Sequence, residues 1–141
     1  MKTTLKSGIL LVILLLVSIS CRDSKEEMAN NTVITNPTIT KYQGNFISQA
    51  HPTSGLAKVS TVDNQLSFEN FKTDSGPKLR IYLVSNISSV NSDYIDLGDI
   101  KGINGNYTYS FPANIDFTKY KYVVVWCVDF NVNFGHATLA P

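Results

Sequence analysis

Cysteine is scarce in this sequence: Cys21 and Cys127 are the only two among 141 residues. Two cysteines exclude the framework of several disulfides that stabilises many small exported domains. Histidine is equally scarce, with His51 and His136 alone. A zinc site needs three or four nitrogen or sulfur ligands, so one would form here only if the fold brought these histidines to Cys127.

Other common signatures of function are also missing. The formal net charge is only +1 and the charged residues are well mixed, which excludes the basic footprint of a nucleic-acid-binding protein. The sequence has no G-x-S-x-G nucleophile motif and no glycine-rich phosphate loop. It also shows no 3.6-residue apolar period, so amphipathic helices are not predicted.

The longest apolar run lies at the N-terminus, where Lys2 and Lys6 precede the stretch Gly8–Val17. This stretch is shorter than the ~20 residues of a membrane-spanning helix, so residues 1–20 are predicted to be a signal peptide. Cys21 follows directly and resembles the acylated cysteine of bacterial lipoproteins, although Ser18 replaces the usual Leu. The resemblance implies an exported protein, lipid-anchored through Cys21 to the outer membrane or cell surface. The alternative is an ordinary secretory signal that leaves Cys21 free.

Residues 21–40 are polar and aperiodic, and they are predicted to be a flexible tether to a domain at 41–141. Turn-forming segments divide this domain into short β-forming runs, and both His51–Gly55 and Lys72–Pro77 are predicted loops. About eight short strands predict an all-β domain, either a compact antiparallel β-sandwich or a partly open barrel. The predicted strands are Tyr42–Ser48, Ala57–Val62, Leu66–Phe71, Leu79–Ser85, Tyr94–Leu97, Tyr107–Phe111, Tyr120–Phe130 and a last strand ending at Leu139.

The run Tyr120–Phe130 is the strongest β-former in the chain and is predicted to be the central strand. Side chains alternate between the two faces of a strand, so Trp126 and Cys127 should point in opposite directions. Both faces of the run are apolar at its centre. The strand is therefore predicted to be buried on both sides, with Trp126 as a core anchor.

Several stretches together resemble the DM13 domain, a small extracellular all-β domain often described as an electron-transfer domain. The resemblance covers nearly all of residues 42–140. The matching stretches are Gly44-x-Phe46, His51-Pro52-Thr53-Ser54-Gly55-x-Ala57, Leu66-x-Phe68-x-Asn70-Phe71-Lys72-Thr73-Asp74-Ser75-Gly76-Pro77-x-Leu79, Tyr82-Leu83, Leu97-Gly98-x-Ile100-Lys101-Gly102, Gly105-x-Tyr107-x-Tyr109, Val125-Trp126-Cys127 and Phe134-Gly135-x-Ala137-x-Leu139.

The resemblance implies a redox role centred on Cys127, with a partner protein supplying or accepting electrons. In animal proteins the domain lies beside DOMON domains, which are linked to haem and to sugars. The resemblance therefore allows haem or another metal as a cofactor, but no cluster of ligand residues in the sequence supports either one. The rival function is a non-catalytic binding module for a glycan or a protein. A purely structural domain is a third alternative.

Cys127 is either a redox thiol or an inert small hydrophobe of the central strand. Asp129 would lie on the same face and disfavour a thiolate, so activation needs a positive or hydrogen-bonding group from elsewhere. His51 and Lys72 are the predicted supporting residues. We hypothesise that their two loops fold over the Cys127 end of the strand and form a small polar pocket.

Two further features have competing interpretations. Asp74 can bind a cation or a substrate hydroxyl, or it can form an Asx turn with the residues that follow it. Tyr107 and Tyr109 on one strand, with Tyr82 elsewhere, can stack against sugars or pack against neighbouring strands.

The lipidation of Cys21 can be tested by metabolic labelling with a fatty acid. The wild-type protein should become labelled and the Cys21→Ala variant should not, because the thioether forms on that sulfur. Equal labelling of the two proteins would contradict the lipoprotein interpretation.

Overall fold

The computed structural model describes residues 40–141, so the predictions for the signal peptide, for Cys21 and for the tether before residue 40 lie outside the described residues. No helix in the described part of the chain is long and apolar enough to cross a membrane. A 3₁₀ helix covers Val90–Ser92. The strands are β1 (Thr40–Ser48), β2 (Thr53–Ser60), β3 (Gln65–Thr73), β4 (Leu79–Val84), β5 (Tyr94–Asp99), β6 (Asn104–Ser110), β7 (Tyr122–Cys127) and β8 (Val132–Thr138).

The eight strands form one antiparallel sheet in the order β5-β4-β7-β8-β1-β2-β3-β6, which curls into a nearly closed barrel. The connection between the edge strands β5 and β6 spans the remaining gap. Its Ile100 N–H donates to the Leu79 carbonyl on β4 at 2.9 Å, and its Lys101 N–H donates to the Tyr109 hydroxyl on β6 at 2.9 Å. The all-β prediction is confirmed, and the partly open barrel is the architecture observed.

The barrel interior is filled by alternate residues of the strands. On β4, Leu79, Ile81 and Leu83 point into this core, as their spacing predicts. An aromatic group lies at its centre: the Phe46 ring packs edge-on against Phe68 and Phe71, with ring centroids 4.9 Å and 5.1 Å away. Such pairs add to the stabilisation that burial of the apolar surface provides.

The outer face of β4 and β7 carries a second, smaller apolar cluster of Tyr82, Val84, Val90, Val124 and Trp126. Tyr82 and Val84 alternate with Ile81 and Leu83 and point outward, but they are buried because the connection between β4 and β5 covers them. The central strand is therefore buried on both sides, which confirms the prediction from its two apolar faces.

Several predicted boundaries are wrong, among them the start of the Lys72–Pro77 loop, because β3 extends to Thr73. The segment His51–Gly55 is only partly a loop, because β2 already begins at Thr53 and Thr53 pairs with Thr73. The central strand ends at Cys127, and residues 128–131 form the turn into β8. Phe130 is consequently 73% exposed, although its side chain is apolar like the side chains that precede it in the strand.

His136 is a buried polar residue on β8, with 8% of its surface exposed. Its Nδ1 lies 3.4 Å from Asn133 Nδ2, and its ring meets Tyr122 edge-on at 6.1 Å. Burial lowers the pKa of His136 below the ordinary value of 6.5, because removal from water disfavours the charged imidazolium.

The burial of His136 predicts a loss of stability in mild acid. Below the ordinary pKa of 6.5, the unfolded chain binds a proton at this histidine that the folded chain resists. The urea midpoint should therefore fall as the pH drops from about 7 to about 5, and the fall should be smaller in His136→Gln. His51→Gln is the matched control and keeps the contribution of His136. An identical fall in wild type and His136→Gln would contradict this account.

The core assignment can be tested with two phenylalanines. Phe68 is 1% exposed in the barrel core and Phe130 is 73% exposed in the β7–β8 turn. Phe68→Ala should lower the free energy of unfolding by about 3–5 kcal/mol, because it removes buried contacts and leaves a cavity. Phe130→Ala should change it by less than about 0.5 kcal/mol. Urea unfolding followed by circular dichroism measures both, and similar losses would rule out this packing.

Candidate functional site

Cys127 is the last residue of β7, and its side chain points into the barrel core, where it is completely buried. Trp126 belongs to the outer cluster, so the two neighbours lie on opposite faces as predicted. The Cys127 thiol donates a hydrogen bond to the Pro77 carbonyl oxygen, with 3.1 Å between sulfur and oxygen. A carbonyl oxygen can only accept, so the Cys127 S–H is the donor in this contact.

Pro77 belongs to the segment 74–78, which connects β3 to β4 and covers the end of β7. We call residues 74–78 the cover loop. Its Lys78 carbonyl accepts a hydrogen bond from the Val128 N–H at 3.1 Å, and Leu79, directly after it, pairs with Cys127. The cover loop is therefore bonded to the end of β7 at Cys127 and at Val128.

The other end of the cover loop is held by His51. His51 Nδ1 donates to Asp74 Oδ2 at 3.0 Å, so the structure brings together two of the predicted site residues. The His51 ring also stacks on Phe134, with 3.8 Å between centroids, and the main-chain N–H of His51 donates to the Phe134 carbonyl at 3.1 Å. Asp74 thus accepts from a side chain in another loop in place of the predicted Asx turn.

Gly76 allows the cover loop to lie close to the core. A Cβ atom at this position would come within 2.7 Å of the Phe134 ring and within 3.2 Å of Leu79. Real Cβ atoms do not approach this closely, so any larger residue would push the loop outward or displace the ring. The glycine in the Asp-Ser-Gly-Pro sequence is therefore explained by close packing, because its backbone is not in the left-handed region.

Beside this loop lies a small cavity of about 210 Å³. Its lining consists of Ser48, Pro52, Thr53, Ser54, Lys72, Thr73 and Asp74. A buried hydrogen bond of 3.0 Å between the hydroxyls of Thr53 and Thr73 joins β2 and β3 at this point. The two predicted loops do meet, as hypothesised, but Cys127 is not among the residues that line the cavity.

Within residues 40–141, the only hydrogen bond of the Cys127 sulfur is the one to Pro77, so neither His51 nor Lys72 forms one with it. Asp129 follows the end of β7 and is exposed in the turn, so the expected repulsion on a shared strand face does not arise. The Pro77 carbonyl and the Thr53–Thr73 pair were missed by the sequence analysis. A main-chain carbonyl has no sequence signal, and two threonines 20 residues apart give no pattern.

The predicted tyrosine row does not form an exposed stacking surface. Tyr109 is 1% exposed inside the core, and Tyr107 packs edge-on against Phe71 at 6.3 Å. Tyr82 is buried in the outer cluster between Tyr94 and Trp126. Burial raises the pKa of both Tyr82 and Tyr109, in keeping with tyrosines that serve packing.

The surroundings of Cys127 do not fit a haem group. The sulfur is completely buried, and neither the cavity beside the cover loop nor a second one on the outer face includes it. Among the described residues, no three His, Cys, Asp or Glu side chains are grouped closely enough to hold a metal ion. The chemistry considered below therefore uses the sulfur alone.

Comparison with known proteins gives one result. The sequence matches the model of the family described as "Electron transfer DM13" over residues 45–139, which is most of the chain and nearly all of the barrel. Comparisons with curated proteins and with solved structures returned no match. The chain belongs to the DM13 family of electron-transfer domains.

Proposed function

We propose that this protein is an exported, lipid-anchored electron-transfer module in which Cys127 is the redox-active group. Family membership supports electron transfer, and the signal-like N-terminus followed by Cys21 supports export and anchoring to the outer membrane or cell surface. The observation that carries the proposal is the position of Cys127, the one thiol of residues 40–141, beneath a short loop formed by family-matching residues.

The redox partner is a protein that carries a reactive disulfide. In the closed form the Cys127 thiol donates to the Pro77 carbonyl and is shielded from solvent. When the cover loop opens, the sulfur gives up its proton and attacks one sulfur of the partner's disulfide. A Cys127–partner disulfide forms, the partner's own disulfide breaks, and the released thiolate takes up the proton. One thiol of a second, dithiol protein then attacks the Cys127 sulfur and releases the first partner with both of its thiols reduced. The other thiol of the dithiol protein attacks its own protein's sulfur in the new Cys127 disulfide, which releases reduced Cys127 and leaves the dithiol protein with a disulfide. Two electrons thus pass from the dithiol protein to the first partner.

The cover loop is weakly held at its Asp74 end. The side chains of His51 and Asp74 are 38% and 51% exposed, and ion pairs or hydrogen bonds at such sites contribute only about 0–1 kcal/mol. Local opening can therefore cost much less than unfolding of the barrel. His51 and Asp74 act as a latch in this proposal, and Lys72, two residues before Asp74, is the supporting cation.

The rival function is a non-catalytic binding module, and the complete burial of Cys127 favours it. A buried thiol that donates to a carbonyl resembles the inert cysteines of many protein cores. The two functions differ in one measurable property. A redox module must expose its sulfur while the barrel stays folded, whereas a binding module has no need to.

Incubation of the full-length protein with glutathione disulfide tests the proposal. The native wild type should form a mixed disulfide at Cys127, identified by mass spectrometry of the peptide that contains it, and Cys127→Ser should form none there. Asp74→Asn should react faster because it weakens the bond to His51. Glu69→Gln is the matched control, since it breaks the 2.7 Å ion pair with Lys58 away from the cover loop.

Modification of the wild type only after unfolding, with Asp74→Asn no faster than Glu69→Gln, would overturn the redox proposal. The binding-module function would then take its place.

A further inference from the structure

A second cavity, of about 390 Å³, lies on the outer face of the sheet beside β7. We call it the outer cavity. Its volume lies within the range of about 300–1,000 Å³ that is usual for small-molecule sites. The residues that define its chemistry are Trp126, Asn91, Asn131, Asn133, Ser88 and Ser92.

The lining of the outer cavity has a consistent chemistry. None of its residues is acidic, basic or a histidine. A phosphate, a carboxylate or an ammonium group would therefore find no countercharge there, which disfavours ionic ligands. The polar groups are amides and hydroxyls, which can both donate and accept hydrogen bonds. This combination suits a neutral ligand that carries several hydroxyl groups.

Trp126 supplies a rigid aromatic wall. It is 7% exposed, and its ring is stacked against Tyr82 with 6.5 Å between centroids. Tyr82 is in turn stacked on Tyr94 at 4.3 Å, so the indole is held by two further rings. A fixed aromatic ring offers apolar area at low cost in conformational entropy, and it can cover the C–H face of a sugar.

The asparagines provide the polar contacts. Asn91 Nδ2 donates to Asn131 Oδ1 and joins the β4–β5 connection to the β7–β8 turn. Asn133 Oδ1 is buried and has no hydrogen-bond partner among the described residues. A buried acceptor without a partner lowers stability, so its presence needs an explanation. A ligand hydroxyl that donates to Asn133 Oδ1 after a small side-chain rotation would supply the missing bond.

We propose that the outer cavity binds one ring of a neutral saccharide, which packs against the exposed part of Trp126 and hydrogen-bonds to Asn91, Asn131 and Asn133. This site is separate from Cys127, which lies on the opposite face of β7. The proposal therefore goes beyond electron transfer and does not depend on it. It assigns the protein a means of attaching to neutral glycans.

Trp126 makes the test direct, because it is the only tryptophan in the chain and lies in the cavity wall. The full-length protein is titrated with glucose, galactose, mannose and N-acetylglucosamine to about 10 mM, above a dissociation constant of about 1 mM. At least one neutral sugar should change the tryptophan fluorescence saturably. Glucuronate is the charged control and should bind more weakly than the neutral sugar.

Variants locate the binding. Asn91→Ala and Asn133→Ala should each weaken it by about tenfold or more, the loss that one or two hydrogen bonds produce. Asn45→Ala, at an exposed position on β1, should bind as wild type does.

Two results would overturn the proposal. They are the absence of any fluorescence change with all four neutral sugars, and wild-type affinity in both Asn91→Ala and Asn133→Ala.

Discussion

The central strand β7 needs apolar cover on both faces, because its alternating side chains are apolar in both directions. The barrel core covers the inner face and the outer cluster covers the other. Neither layer could be lost without exposing a row of valines to water, which would remove a large part of the burial that stabilises the fold. The short β4–β5 connection with its 3₁₀ turn is thus part of the structural support of the barrel.

This double cover separates two chemical environments that are adjacent in the sequence. The sulfur of Cys127 lies inside, where a main-chain carbonyl is the one polar group among residues 40–141 in hydrogen-bond contact with it. The indole of Trp126 lies outside, at the wall of a cavity with amide and hydroxyl groups. A redox function through the sulfur and a binding function through the indole can therefore coexist, because each uses a different face of the strand.

The sequence predicts the parts of this arrangement that follow from side-chain alternation. The strand positions, the central place of β7 and the opposite orientation of Trp126 and Cys127 all follow from a period of two. The end of β7 could not be found in this way, because Val128 and Phe130 favour strands by propensity while the turn to β8 is set by tertiary packing. β-propensity measures how well a side chain suits a half-buried sheet surface. Phe130 lies in the turn, where its side chain is exposed and does not pack on such a surface.

The candidate site was predictable only in outline. His51 and Asp74 could be assigned to two loops, but their 3.0 Å contact depends on the register of β2 and β3, which brings the loops together. The contact between Cys127 and Pro77 uses a backbone oxygen that every residue possesses. The outer cavity was not predicted either, because its asparagines come from segments about 40 residues apart that read as ordinary turns.

The central claim is that the cover loop opens locally and exposes Cys127 while the barrel remains folded. The most direct measurement is the alkylation rate of Cys127 in a Cys21→Ala protein, followed over increasing urea below the unfolding transition. Local opening predicts a rate that is nearly independent of urea at first, because little surface is exposed in the opening. A rate that rises from the lowest urea concentration with the full slope of global unfolding would show that the sulfur is reached only in the unfolded chain, and would contradict the account.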